Sequence, residues 1–325
     1  MKIFEFTESE RGSIGFPNLG IDDFNPCDGI RLFGFEIKFY GIIIAFGLFL
    51  AVIYAIRRAK QFGLTTDDIL DIVLIGTPCG IIGARLYYVI TGGLPVSEWL
   101  NIRDGGMAIY GGVIGAVGSV AITFLLSKKR RKKLLPCMDI AGLGFMIGQS
   151  IGRWGNFFNR EAFGGYSDGL FAMRLSAHRI RNLADASVLQ KKVVDGMIQV
   201  QPTFLYESVW NLIGFVLIHF LSKKRKFDGQ VFLYYLAWYG LGRLYIEGMR
   251  TDSLMVGPFR VSQLLAGITC LIAVGILVYM LAIKKPTGKT MLVSCVIVTD
   301  VPVTEETEQA VEETMKSMKK QEEES

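Results

Sequence analysis

Histidine is nearly missing from this 325-residue chain: His178 and His219 are the two it has. Two isolated imidazoles leave little material for a histidine-built metal centre or an acid–base relay. Cysteine is sparse and odd in number. Cys27, Cys79, Cys137, Cys270 and Cys295 show no Cys-x-x-Cys spacing, and Cys79 and Cys270 fall inside apolar runs, which suggests neither a disulfide framework nor a zinc site. There is no phosphate-cradling nucleotide loop, so the sequence asks for no cofactor and no metal. A repeat of fixed period is also lacking, which weakens a transporter built from inverted repeats. The first thirty residues or so have mixed polarity and lack the short basic-then-apolar layout of a cleaved leader, so the first apolar run reads as a retained spanning helix.

What is abundant is apolar sequence. Hydrophobic residues make up 51% of the chain although it also carries 35 Lys and Arg. The charges must therefore be segregated from long apolar runs, as in membrane proteins. Runs near the ~20 residues that a helix needs to cross a bilayer occur at 37–56, 69–91, 106–127, 137–152, 203–222, 229–248 and 259–283. The basic clusters Arg57-Arg58-Lys60, Lys128 to Lys133, Lys223 to Lys226 and Lys284-Lys285 each follow an odd-numbered run. By the positive-inside rule this sets the N-terminus outside and the C-terminus inside. The net charge of +5 is thus a topology signal, and nucleic acid is not an expected partner.

The expected architecture is an all-α integral membrane protein, a bundle of about seven transmembrane helices. An extracytoplasmic segment spans 1–36, and a catalytic membrane domain spans 37–285. That domain includes one outer loop, 153–202, forming a small subdomain between the fourth and fifth helices. An acidic cytoplasmic tail, 286–325, has the composition of a disordered segment.

This topology gives each polar residue a depth. Tyr40, Arg85, Tyr110, Arg153, Asn156, Glu207, Arg243 and Glu247 all fall toward the outer ends of six different helices. Gln149, Arg153 and Asn156 share one face of the fourth helix, while Tyr239, Arg243, Glu247 and Arg250 form a stripe on the sixth. A structural Arg243–Glu247 pair and an Arg85 that snorkels to the headgroups would account for these residues one at a time. Several arginines gathered in one layer fit a phosphate-bearing ligand better, since guanidinium meets phosphate bidentately. An anionic phospholipid headgroup is the natural occupant.

The stretch Gly152-Arg153-Trp154-Gly155-Asn156-Phe157-Phe158-Asn159-Arg160-Glu161-Ala162-Phe163-Gly164 closely resembles the signature G-R-x-G-N-F-x-N-x-E-x-x-G of prolipoprotein diacylglyceryl transferases. Phe39-Tyr40-Gly41, Gln201-Pro202-Thr203 through Leu205-Tyr206-Glu207, and Tyr239-Gly240 with Arg243 and Glu247 agree in order and spacing. The likeness covers roughly residues 30 to 285.

The resemblance implies transfer of the diacylglyceryl group of phosphatidylglycerol to the lipobox cysteine of a prolipoprotein, in the bacterial cytoplasmic membrane, with the active site toward the outer leaflet. It implies Arg153 and Arg243 on the phosphate, with Asn156, Asn159, Glu161 and Gly164 shaping the loop around it. Tyr40, Tyr239, Glu207 and Glu247 would orient groups, and Arg85 is a further candidate for the lipid. The expected catalytic set is Arg153, Arg243, Tyr110, Glu247 and Tyr239. Gly105 to Gly112 matches the family's third-helix motif, but family members commonly carry histidine where this chain has Tyr110, so a histidine base is not universal. Neither His178, in the outer loop, nor His219, near an inner helix end, is placed to replace it. The rival readings are a membrane transporter for an anionic solute and a lipid-binding scaffold without chemistry.

Overall fold

The structure is a computed structural model that describes residues 4–7, 9–100, 106–180, 189–251, 255–256, 259–286 and 291–292. Among them are seven long helices: α1 (Phe39–Arg58), α2 (Thr66–Gly92), α3 (Ile109–Leu126), α4 (Leu134–Asn159), α5 (Thr203–Ser222), α6 (Gln230–Met249) and α7 (Val261–Val278). Six of the helices are long and apolar enough to cross a membrane. The exception, α6, is also 20 residues long but carries Arg243 and Glu247 among its tyrosines and glycines.

Helix ends follow local chemistry. Thr65 caps α2: its hydroxyl accepts the Asp68 N–H at 3.2 Å while the Asp68 carboxylate accepts the Thr65 N–H at 2.8 Å, a reciprocal capping box. α6 starts at Gly229 without a side-chain cap of its own. Asp139 of α4 supplies the missing acceptor, taking the N–H groups of Gly229 and Phe232 at 2.8 Å each. α2 and α3 pack through glycine: a Cβ on Gly83 would lie 2.4 Å from the Gly111 carbonyl oxygen. This is the close backbone approach that small residues allow between membrane helices.

Two findings refine the sequence reading. α4 runs to Asn159, well past the apolar run that stops near 152, because Arg153, Asn156 and Asn159 are held by protein groups and need no lipid-facing surface. The outer loop therefore begins at Arg160. The segment before α1 and the loop after α4 also hold short antiparallel strands that helical periodicity does not reveal. These are β1 (Phe4–Thr7), β2 (Ile14–Phe16), β3 (Ile21–Phe24), β4 (Gly29–Leu32), β5 (Phe35–Lys38), β6 (Met173–Ser176) and β7 (Met197–Val200). A β8–β9 pair (Met255–Val256, Phe259–Arg260) precedes α7. The acidic stretch from 293 onward lies outside the described residues.

β1, β4 and β5 form one sheet, and β3-β2-β6-β7 form a second. In the second sheet Ile14 of β2 pairs with Leu175 of β6. Four membrane helices separate these strands, and an even number of crossings returns the chain to its starting side. The segment before α1 and the loop after α4 thus build one head at one end of the bundle. The basic clusters after α1, α3, α5 and α7 sit at the other end. Each end has its own buried core: Phe62, Phe124, Ile140, Leu143, Met146 and Val231 in the bundle, and Ile14, Phe163, Leu175, Ile198 and Phe204 with their neighbours in the head.

Candidate active site

Glu207, in the second turn of α5, is the hub of the site and is buried. Arg153 of α4 reaches its Oε2 at 2.5 Å, and Arg243 of α6 reaches its Oε1 at 2.7 Å. Arg250, just past the end of α6, places Nη1 3.6 Å from the same Oε1. Glu247, one turn beyond Arg243, lies 2.6 Å from Arg243 Nη2. That Glu247 oxygen has no aligned hydrogen-bond donor, so the pairing is one of charge and proximity. Three guanidiniums thus gather on two buried carboxylates. The arginine side chains keep 17%, 15% and 13% of their surface accessible, whereas Glu207 keeps 4%. The acids are sealed and the cations present an open edge, which is the polarity of an anion site.

The rest of the signature wraps around this hub. Asn156 and Asn159 both donate to Glu161 Oε1, at 2.9 and 3.0 Å, and Arg153 Nη1 lies 3.5 Å from Asn156 Oδ1. Tyr40, the second residue of α1, presses on Gly155: a Cβ there would stand 2.7 Å from the tyrosine ring. It is within electrostatic reach of both Glu161 and Arg153. Gly164 is hydrogen-bonded to the Gln201 carbonyl at 2.8 Å and forms a bridge with Arg250. A side chain at Gly164 would meet Gln201 Oε1 at 2.7 Å and the Met249 carbonyl at 2.8 Å, so only glycine fits this approach. Tyr239 stacks on Tyr235 with ring centres 5.7 Å apart, one turn below Arg243.

Two expected residues have other partners. Arg85 donates to the backbone carbonyls of Trp99 at 3.1 Å, Gly106 at 2.8 Å and Glu98 at 2.6 Å, and lies over the Tyr88 ring. Its guanidinium fastens the α2–α3 connection. Tyr110 hydrogen-bonds Ser262 of α7 at 2.9 Å, joining the starts of α3 and α7.

Two arginines at this end lie outside the expected site set. Arg250 belongs to the α6 stripe but was not among the expected site residues; its spacing, three beyond Glu247, was the available signal. Arg160 occupies a variable position of the signature and gave none. It ends α4 in the left-handed conformation, φ 50°, and its side chain is fully buried. Its guanidinium donates to Asp28 at 3.1 Å, Asn25 at 2.8 Å, and the carbonyls of Pro26 and Gly12 at 2.6 and 3.2 Å. Arg11 and Arg179 add bonds to the Asn159 carbonyl, at 3.0 and 3.2 Å. Positive charge so placed suits the negative end of the α4 dipole. Burial lowers the pKa of Arg160 and of Arg179 from the usual arginine value, and Asp28 opposes the shift at both.

The fold and this site define a polytopic membrane protein with a cluster of arginines on buried carboxylates at the head end of its bundle. A family model described as prolipoprotein diacylglyceryl transferase matches residues 29–279. A Streptococcus sanguinis (strain SK36) protein named phosphatidylglycerol–prolipoprotein diacylglyceryl transferase is 41% identical over 268 residues, covering 79% of this chain and 96% of its own. Proteins of the same name from Clostridium novyi (strain NT) and Clostridioides difficile (strain 630) are 39% and 38% identical, over 74% and 72% of this chain and 90% and 87% of theirs. The chain belongs to the prolipoprotein diacylglyceryl transferase family.

Proposed function

We propose that the chain transfers the diacylglyceryl group of phosphatidylglycerol to the thiol of a prolipoprotein's lipobox cysteine, the first step of bacterial lipoprotein maturation. The sulfur attacks the glyceryl carbon that bears the phosphate. A carbon–sulfur bond forms, the carbon–oxygen bond breaks, glycerol phosphate leaves with the electron pair, and the thiol proton is released. The observation that carries this reading is the convergence of Arg153 and Arg243, from two helices, on Glu207 of a third. Glu207 fixes both guanidiniums before substrate arrives, so they need not reorganise as charge gathers on the departing phosphate. Arg250 adds to the same field, and Glu161 with its two asparagines shapes the adjoining turn.

Thiol activation is a separate task. A free thiol, pKa about 8.5, is only a few per cent ionised near pH 7, yet thiolate is a strong nucleophile. The Tyr110–Ser262 hydroxyl pair is suited to orienting a thiol, since each hydroxyl can both donate and accept. The positive field of the arginine guanidiniums is what would draw the thiol toward its ionised form. We assign the head to the outer face of the bacterial cytoplasmic membrane, a reading that the basic loops at the opposite end support, with both lipid and signal peptide taken from the surrounding lipid. A conduit for an anionic solute would need polar groups continuous through the bundle. Between its two ends the core is apolar, with Phe124, Ile140, Leu143 and Met146 buried, which weighs against it.

Purified protein incubated with labelled phosphatidylglycerol and a lipobox peptide should add the diacylglyceryl mass to the peptide cysteine. Replacing that cysteine by serine should abolish the gain. An unchanged rate in Arg243→Ala would sink the proposed phosphate grip.

A further inference from the structure

The sheet β1-β4-β5 has two unlike faces. Its antiparallel register sets Phe6 opposite Ile30, Ile30 opposite Ile37, and Leu32 opposite Phe35. Directly paired residues share a face, and neighbours along a strand alternate. One face therefore carries Phe6, Ile30, Leu32, Phe35 and Ile37; the other carries Glu5, Arg31, Glu36 and Lys38. A sheet of this pattern normally lays its apolar face on a core. Here Phe6 and Phe35 are 56% and 62% exposed, and none of the five apolar residues belongs to either buried cluster.

The hairpin tip points the same way. β4 and β5 are joined by Phe33 and Gly34, with φ of 50° and 85°, the signs that a type I′ turn requires. Asparagine or aspartate is the usual first residue of such a turn, because a short polar side chain can bond the local backbone there. Phenylalanine has no such compensation, yet its ring is 60% exposed. Nothing in the chemistry of the turn calls for an aromatic ring at this point. The chain also names a neighbour: β5 ends at Lys38 and α1 begins at Phe39 with no linker. The exposed Ile42, Phe46 and Phe49 belong to the membrane-spanning surface of α1. Apolar sheet face and lipid-facing helix follow each other directly, and the four residues of β5 cover only about 13 Å.

We propose that the apolar face of β1-β4-β5, with Phe33 at its tip, lies in the bilayer interface at the boundary of headgroups and acyl chains. It is a sheet counterpart of an interfacial amphipathic helix. The charged face stays in water, and aromatic rings sit where such rings favour the interface. Tyr40 is two residues beyond the sheet and is packed on Gly155 of α4. Seating the sheet on lipid therefore sets the height of the signature end of α4 against the headgroups it must reach.

The test uses the full chain in vesicles of phosphatidylglycerol and phosphatidylcholine. An environment-sensitive fluorophore is attached to a cysteine introduced as Phe33→Cys, Phe35→Cys or, on the charged face, Glu36→Cys, with the labelled parent chain subtracted. Labels at 33 and 35 should be quenched several-fold more by lipids brominated on their acyl chains than the label at 36, and less by aqueous iodide. Should the Phe35 label disturb the sheet, the label at 33, in the turn, reports alone. Equal iodide quenching at 33, 35 and 36 overturns the proposal. So does shielding that appears only when a lipobox peptide is added, which would give the face to a protein ligand.

Discussion

The trio α4, α5 and α6 carries an arginine–carboxylate cluster at each end, and the two are built to opposite purposes. At the basic end Arg225 and Asp139 are both fully buried; Arg225 also meets Asp228 at 3.0 Å and donates to the Gln61 carbonyl, while Asp139 is occupied by the first turn of α6. At the head end Glu207 and Glu247 are buried, but the three arginines above them keep an open edge. The two sites are roughly 21 Å apart, from the 14 residues between Asp139 and Arg153 on α4 at 1.5 Å each. A pair sealed from its surroundings holds helices together. Cations held from below by sealed acids, with an edge left open, keep binding capacity for something else. The comparison teaches that burial of both partners makes an ion pair a fastener, whereas an accessible edge on its cations leaves it able to bind.

That contrast can be broken by mutation. The largest effect expected is from Asp139→Ala, which takes one of two carboxylates from a buried guanidinium and the acceptor from two helix N–H groups; breaking such a pair costs about 3–5 kcal/mol. Thermal unfolding in detergent should register it, with activity falling only as folded protein is lost. Arg243→Ala should do the reverse: turnover on a lipobox peptide falls by about 10²–10³-fold, while the unfolding midpoint moves less than in Asp139→Ala. If both variants lose stability alike, the two ends are not different in kind. Next in size is Arg160→Gly, which keeps a residue suited to the left-handed end of α4 but removes the bonds to the N-terminal segment. A net loss of about 1–3 kcal/mol, from charged hydrogen bonds offset by relief of strain, should appear as faster amide exchange over residues 9–28 while α4 stays protected. The smallest is Tyr110→Phe, which removes one neutral hydrogen bond, worth about 0.5–1.5 kcal/mol. Its rate should fall less than tenfold. A loss equal to that of Arg243→Ala would mean that the hydroxyl acts on the thiol directly.

Much of this was legible in the sequence, for identifiable reasons. Apolar run length and the alternation of basic loops gave the bundle, and helical spacing put Arg243, Glu247 and Arg250 on one face. What spacing cannot give is which acid serves which base. Glu207 as common partner of Arg153 and Arg243 depends on α4, α5 and α6 meeting in space. Arg85 resembles the site arginines in type and depth, yet the connection folded back over α2 offers it three carbonyls. The strands were hidden because they are at most four residues long and lie in segments of mixed polarity. The turn at Phe33-Gly34 lacks the Asn-Gly that marks a hairpin.

The pairing of β2 with β6 carries a consequence for how the protein is made. Some 160 residues and four membrane insertions separate Ile14 from Leu175, so at about 5–20 residues per second a ribosome needs roughly ten to thirty seconds to deliver the second strand after the first. Through that interval the nascent N-terminus waits with its sheet edge unmatched. Arg160, the residue that locks this segment down, emerges only after the fourth span, so the head closes as a late checkpoint on correct threading, and a chain misinserted by one helix would leave the two strands on opposite sides of the membrane.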